Sequence, residues 1–329
     1  MNKIRFWISN ARSISLPQSI LPSLLAIAMT AHLPSFSWGL AALALLGIIS
    51  AHLGMNLADD YFDYKKDTTR IRQQVHEEGI KTHMEKCHYI LSGKATIRDL
   101  AYAVASFLAV AGLAGGIILC FRTWHVAIVA LIGLILGLSY SGGPLKLGYR
   151  GLGEFVIGTM FGPLLMIGMA YAAANQLTLD LILVSVAVGL LVIDIVYVHS
   201  VLDVRTDTLS SRKSFAVILR KKWAMLVALA CFAIAPFLIM IGGVLADILH
   251  WSVLATLLLL PLAVHLVYST YCFLYEKPIQ MEPRWWMGPM GDWEKYKEAD
   301  MDWFLFRWLV ARNLVTFFCL ILIVIYIIL

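Results

Sequence analysis

The chain has 329 residues, of which 60% are hydrophobic and only 14% charged, with a formal net charge of +5 and a mean hydropathy of +0.79. Water-soluble domains run near ~45–50% apolar and ~25% charged. The composition therefore excludes a soluble globular enzyme, makes the lipid bilayer the solvent for most of the chain, and leaves no nucleic-acid partner to be expected.

A helix needs about 20 apolar residues to cross a hydrocarbon core of ~30 Å. Lys3, Arg5 and Arg12 precede the first apolar run, but no small-residue cleavage site follows it, so that run reads as a first span rather than a cleaved signal. Apolar segments then fall at 17–34, 38–58, 97–120, 125–141, 152–174, 180–200, 223–245, 251–274 and 308–329. The expected fold is all-α: a polytopic membrane bundle of about nine transmembrane helices forming one domain over 1–329. Outside the spans lie two Asp-bearing loops, 59–96 and 201–222, and a Trp-rich stretch at 275–307.

Of the 26 Lys and Arg residues, all but Arg122 fall in or beside the N-terminal arm and every second loop. Positive charge collects on the cytoplasmic side, which predicts a multi-pass protein of the cell (inner/plasma) membrane with a cytoplasmic N-terminus. The opposite connections are too short for a domain, so chemistry belongs at the cytoplasmic end. The five cysteines show no paired spacing and imply no disulfide framework. Cys87 with His83 and His88 lacks the second ligand pair of a structural zinc site.

Span 2 runs into Asn56-Leu-Ala-Asp59-Asp60-Tyr-Phe-Asp63-Tyr-Lys-Lys-Asp67. On a helix, Asp59, Asp63 and Asp67 form one column, Asn56 lies on the same side, and Asp60 falls within reach of Asp63. Like charges at this spacing repel, so the pattern calls for a neutralising cation. Span 6 ends in a second pair, Asp203 and Asp207, followed by Arg212-Lys213-Ser214. Two such columns at solvent-facing helix ends suit Mg²⁺, an oxygen-seeking ion commonly held by a few carboxylates plus substrate phosphates. Flanking Lys65, Lys66, Arg70, Arg72, Arg205, Arg212 and Lys213 offer charge for the remaining phosphate oxygens.

These residues resemble the UbiA superfamily of intramembrane prenyltransferases. Asp59, Asp63 and Asp67 match its first motif, and Asp203, Asp207, Lys213 and Ser214 its second. The surroundings of Asn56, with Tyr140-Ser-Gly-Gly-Pro-Leu-Lys146-Leu-Gly-Tyr149-Arg150, look most like the 1,4-dihydroxy-2-naphthoate polyprenyltransferase branch. The resemblance implies Mg²⁺-dependent transfer of a polyprenyl group from a polyprenyl diphosphate to an aromatic acceptor, with release of diphosphate, in menaquinone-type quinone biosynthesis. It implies Asp59, Asp63, Asp67, Asp203 and Asp207 as metal ligands. Of these, Asp63, Asp67, Asp203 and Asp207 would be catalytic together with Tyr140. Asn56, Asp59, Asp60, Lys146, Arg150, Lys213 and Ser214 would bind substrate. Metals and cations would stabilise the departing diphosphate, apolar walls would exclude water, and Tyr140, Tyr61 and Tyr197 could face the allylic cation.

There are departures. Asp59 stands where the family commonly has Asn, and the long 68–94 loop lacks an Arg-Pro element seen in many relatives. The Trp-rich 275–307 stretch reads as an interfacial strip, with capping of the site as the alternative. Asp194 and Glu154 are ionisable groups in or near spans, where such residues usually face the bundle interior. Glu154 could also be simply hydrated. His52 and His199 each lie near an acidic cluster and could take a phenolic proton, although a neutral structural histidine is the commoner case. Other acceptors (hydroxybenzoate, homogentisate, haem, chlorophyllide, glycerol phosphate) remain open. A cation transporter fits poorly, because the far side is nearly free of charge, and a lipid-binding scaffold gives no reason for the carboxylates.

Overall fold

The computed structural model of the protein describes residues 3–65, 87–209 and 212–329, and every regular element among them is helical. In chain order the apolar helices are α1 Pro17–Thr30, α2 Trp38–Lys65, α3 Ile97–Leu119, α4 His125–Ser141, α5 Gly153–Ala174, α6 Leu179–Leu202, α7 Lys222–Leu245, α8 Trp251–Leu274 and α9 Asp302–Ile328. All but α4 are long and apolar enough to cross a membrane, α1 with the Ser13–Ser15 turn that precedes it. At 17 residues, α4 rises about 26 Å, slightly less than a hydrocarbon core. The apolar runs of the sequence all appear, with three ends clearly moved: α1 stops at Thr30, α2 continues through Lys65, and α9 begins at Asp302.

The helix ends have local causes. Pro17 opens α1, where its missing N–H costs nothing. Thr96 and Asp99 form a reciprocal capping box at the start of α3. Arg122, the one cation on the far side, donates to the carbonyls of Ala172 (2.9 Å), Ala173 (2.6 Å) and Ser35 (2.9 Å). It caps the otherwise orphaned C-terminal carbonyls of α5, and this structural duty accounts for the exception in the charge map.

The most buried helix is α6, which packs against α5, α7 and α9. Its contact with α5 is backbone to backbone: a Cβ added at Gly162 would lie 2.4 Å from Gly189 Cα. Small residues at such a crossing let dispersion contacts replace the hydrophobic drive that lipid removes. Within α5, Met160–Leu164 around Pro163 form a π-turn. Proline removes a helical donor there, and the wider turn absorbs it. A smaller cluster of Leu53, Leu57, Tyr89 and Leu100, backed by Phe6 and Trp7, seats the N-terminal helix Lys3–Asn10 against α2 and α3.

Candidate active site

The last turns of α2 carry Asn56, Asp59, Asp60 and Asp63, while Asp67 lies outside the described residues. Asp203 caps α6, and a short helix, Val204–Leu209, carries Asp207. The Asp207 N–H donates to Asp203 O at 2.8 Å, so the four-residue relation survives the break. Asp59, Asp203 and Asp207 line one cavity of about 490 Å³, whose apolar walls include Met160, Phe161 and Phe304.

The carboxylates are not solvent-facing, contrary to the expectation from sequence. Asp60, Asp63, Asp203 and Asp207 are between 1% and 4% exposed. Tyrosines cover the first cluster: Tyr149 OH donates to Asp63 Oδ1 at 2.7 Å and Tyr89 OH to Asp60 Oδ2 at 3.2 Å. Burial, followed by the Asp60 charge, raises the Tyr89 phenol far above its ordinary range, so it stays a donor. Ser141 donates to Asp59 Oδ1. Cys87 is buried, donating to Asp60 O at 3.4 Å, and its zinc partner candidate His83 lies outside the described residues.

Two guanidinium groups stand by the carboxylates. Arg12 reaches Asp59 at 3.3 Å and Asp60 at 3.4 Å and donates to Asn56 O at 2.7 Å. Arg212 donates to Tyr140 OH at 3.2 Å and lies over the Tyr149 ring. Burial opposes both charges. Asp60, Asp59 and Asp63 outweigh it at Arg12, and Tyr140, Asp207, Asp63 and Asp59 outweigh it at Arg212, so both groups sit above their ordinary values. Each keeps a buried Nε–H with no acceptor among the described residues, a donor suited to an oxyanion.

Other expected site residues divide. Tyr140 lines the cavity, whereas Tyr61 stacks under Lys65 and Tyr197 is buried, donating to Met225 O. Lys146, Arg150 and Lys213 are exposed and do not line it. Ser214 is buried, its hydroxyl without a partner among the described residues. Glu154 is buried rather than hydrated: it accepts from Ser200 Oγ at 2.7 Å and Phe215 N at 3.0 Å. Asp194 is buried inside α6, away from the cavity. Both candidate histidines line the cavity. His52 is held between Ser19 Oγ (2.8 Å) and Ser15 Oγ (3.1 Å), as a structural histidine would be, and His199 contacts Asp203 at 3.1 Å.

The Trp-rich stretch is not a uniform surface strip. Trp285 is exposed, Trp293 and Trp303 are buried, and Tyr296, Ala299 and Met301 line the cavity. Arg12, Ser141 and Tyr89 escaped the sequence reading because each acts across a fold contact with no local spacing to reveal it. Ser141 and Tyr149 do flank the Tyr140–Arg150 motif, the one signal that could have found them.

For Mg²⁺ the donor set is all oxygen, with Asp59 of α2, Asp203 at the end of α6 and Asp207 of the short helix that follows facing one cavity. Among the described residues, no three acidic, His or Cys side chains are close enough to hold an ion alone. Mg²⁺ is commonly held by one or two carboxylates and completed by substrate phosphates.

A bundle of membrane helices gathering carboxylates and guanidinium groups on one apolar cavity defines a polytopic membrane enzyme of the prenyltransferase class. The profile of the UbiA prenyltransferase family matches residues 19–287, and the chain belongs to that family. It is 29% identical over 213 residues to the 1,4-dihydroxy-2-naphthoate octaprenyltransferase of Mycobacterium tuberculosis, covering 64% of this chain and 68% of the relative. It is 30% identical over 225 residues to the 2-carboxy-1,4-naphthoquinone phytyltransferase of a Synechocystis species, covering 68% of each. The fold is that of a UbiA homologue from Archaeoglobus fulgidus solved with GPP and Mg²⁺, with a TM-score of 0.60 and 13% identity over 98% of this chain and 99% of that one.

Proposed function

We propose that the protein transfers a polyprenyl group from its diphosphate to a 1,4-dihydroxy-2-naphthoate-like acceptor, in a Mg²⁺-dependent step of menaquinone-type biosynthesis. The proposed setting is the plasma membrane, with the site and the N-terminus on the cytoplasmic side. The observation carrying this reading is the shared cavity, where Asp59 of the first acidic cluster, Asp203 and Asp207 of the second, Arg12 and Arg212 meet apolar walls.

Asp59, Asp63, Asp203 and Asp207 would hold Mg²⁺ with the diphosphate, Asp67 being the further family candidate. When bound, the ion supplies charge neutralisation for the leaving group. Arg12 and Arg212 direct their spare Nε–H groups at the same oxygens and stabilise charge as the C–O bond lengthens. Tyr140 presents its ring to the allylic carbon, its hydroxyl held by Arg212. Met160, Phe161 and Phe304 keep water from the cation. Tyr149, Tyr89, Ser141 and Glu154 position the charged groups rather than touch substrate.

Purified protein in detergent, given a polyprenyl diphosphate, 1,4-dihydroxy-2-naphthoate and Mg²⁺, is expected to release diphosphate and form the prenylated acceptor, either as the prenylated dihydroxynaphthoate with loss of a proton or as the prenylated naphthoquinol with loss of CO₂. Absence of both products with that acceptor and with other aromatic acceptors would refute the reading.

A further inference from the structure

The polar residues lining the cavity are almost all committed within the protein. Arg12, Asn56 and Asp59 bond one another or their neighbours, as do Tyr140, His199, Asp203 and Arg212. Ser15 and His52 bond each other, and Ser200 bonds Glu154. Three lining residues stand apart. Gln18, Tyr296 and Trp308 line the cavity, are half-buried, and their side chains make no hydrogen bond among the described residues.

These three come from helices that pack together. Gln18 stands at the start of α1, Trp308 lies in the second turn of α9, and α1 packs along α9. Tyr296 is on the short helix Trp293–Glu298, which leans on α9. Beside Trp308 lies a cation with no acidic partner among the described residues. The Arg312 guanidinium sits over the Trp308 ring, 5.8 Å from its centroid. Its hydrogen bonds go to neutral oxygens, Pro289 O (2.8 Å) and Asn313 Oδ1 (3.0 Å). Arg12, by contrast, meets Asp59 and Asp60 directly. All four residues also fall outside the 19–287 stretch that matches the family profile, which contains both acidic motifs.

An indole N–H or phenol ordinarily finds a partner once a bound molecule covers it, and a ligand that offers no acceptor leaves it unpaired at a cost. Unspent donors on an apolar cavity wall, flanked by that positive charge, therefore fit a ligand that brings its own acceptors and negative charge. The diphosphate is served by the carboxylate and guanidinium cluster. We infer that the wall formed by Gln18, Tyr296 and Trp308, with Arg312 beside it, is the acceptor-recognition subsite and selects an aromatic acceptor bearing oxygen substituents and a carboxylate. Trp308 and Tyr296 donate to those oxygens, Gln18 pairs with a second polar substituent, and the Arg312 charge favours the carboxylated molecule over its neutral counterpart. The inference rests on the aromatic-acceptor reading above and names the residues that read the acceptor.

The test uses the full chain in detergent with Mg²⁺ and a polyprenyl diphosphate, comparing 1,4-dihydroxy-2-naphthoate with 1,4-naphthalenediol, which lacks the carboxylate. W308F and Y296F should each raise the acceptor KM about tenfold, the worth of one hydrogen bond to a charged group, with the diphosphate KM within about twofold. R312Q should erase most of the preference for the carboxylated acceptor, and R312K, which keeps the charge, should retain it. Equilibrium binding of 1-hydroxy-2-naphthoate to the same variants gives a readout that needs no turnover. Weakened binding in W308F and R312Q without any turnover by the wild type would uphold the subsite and sink the proposed reaction. Unchanged acceptor KM and binding in those variants, or a parallel rise in both substrates' KM, would overturn the subsite.

Discussion

Replacement of Glu154 is the sharpest test of how the second acidic motif is held. This carboxylate, 2% exposed, receives Ser200 Oγ from α6 and the Phe215 N–H from the segment after Arg212. Arg212 N in turn donates to Asp207 O at 2.9 Å, so the stretch between Asp207 and Phe215 is pinned at both ends. Glu154→Ala removes the acceptor for Phe215 N–H, and an orphaned buried donor costs ~1–3 kcal/mol. Ser200 is less affected, because its hydroxyl also reaches Val196 O at 3.1 Å, and its lost bond adds about 1 kcal/mol. The expected destabilisation is ~2–4 kcal/mol for Glu154→Ala. Glu154→Gln keeps an acceptor oxygen in place and should cost only about 1 kcal/mol. Denaturant unfolding in detergent, followed by intrinsic fluorescence, would read the stability, and diphosphate release would read function. Glu154→Ala should lose turnover even where it is folded, because Arg212 loses its anchor. An alanine variant within about 0.5 kcal/mol of wild type, the range of an ordinary surface substitution, would refute the clamp, as would a glutamine variant as damaged as the alanine one.

Asp63→Asn and Asp203→Asn should each abolish Mg²⁺-dependent diphosphate release while the variants elute as monodisperse, helical protein. Chelation with EDTA should silence the wild type, and added Mg²⁺ should restore it. Tyr149→Phe removes the 2.7 Å bond to Asp63 and should slow turnover about tenfold, the worth of one charged hydrogen bond, with little change in melting temperature. Gly162→Ala drives a methyl group into the Gly189 backbone at 2.4 Å and should lower stability by ~1–3 kcal/mol, as overpacking does, measured by thermal unfolding in detergent.

Most of the fold could be read along the chain. Apolar runs and lysine and arginine placement gave the number and order of the spans, because lipid forces helices to satisfy their own backbone. The four-residue spacing of Asp59 and Asp63 on α2 was equally legible, since that spacing is a local property of a helix. The burial of the carboxylates was not legible. Asp63 looks solvent-facing until Tyr149, 86 positions away, is folded over it. Arg12 looked like one more cytoplasmic cation, and only the packing of the N-terminal arm places it on Asp59. Glu154 likewise needed partners from α6 and the 215 segment to be read as a clamp. Lys146, Arg150 and Lys213 show the converse: a motif can carry charged residues to the rim without bringing them to the cavity.

The π-turn at Met160–Leu164 gives α5 two independent phases. An extra residue in one turn advances everything after it by about 100° relative to a regular helix. Ile157, Met160 and Phe161 are thereby presented to the cavity, while Leu165, Met166 and Met169 are sealed in the core. Each half of the helix can thus be fitted to its own neighbours, as two cams set at different angles on one shaft. Shortening the chain by one residue there would restore ideal helical geometry and yet rotate one half of the helix out of mesh. The irregular turn is what lets one helix serve as both wall and keel.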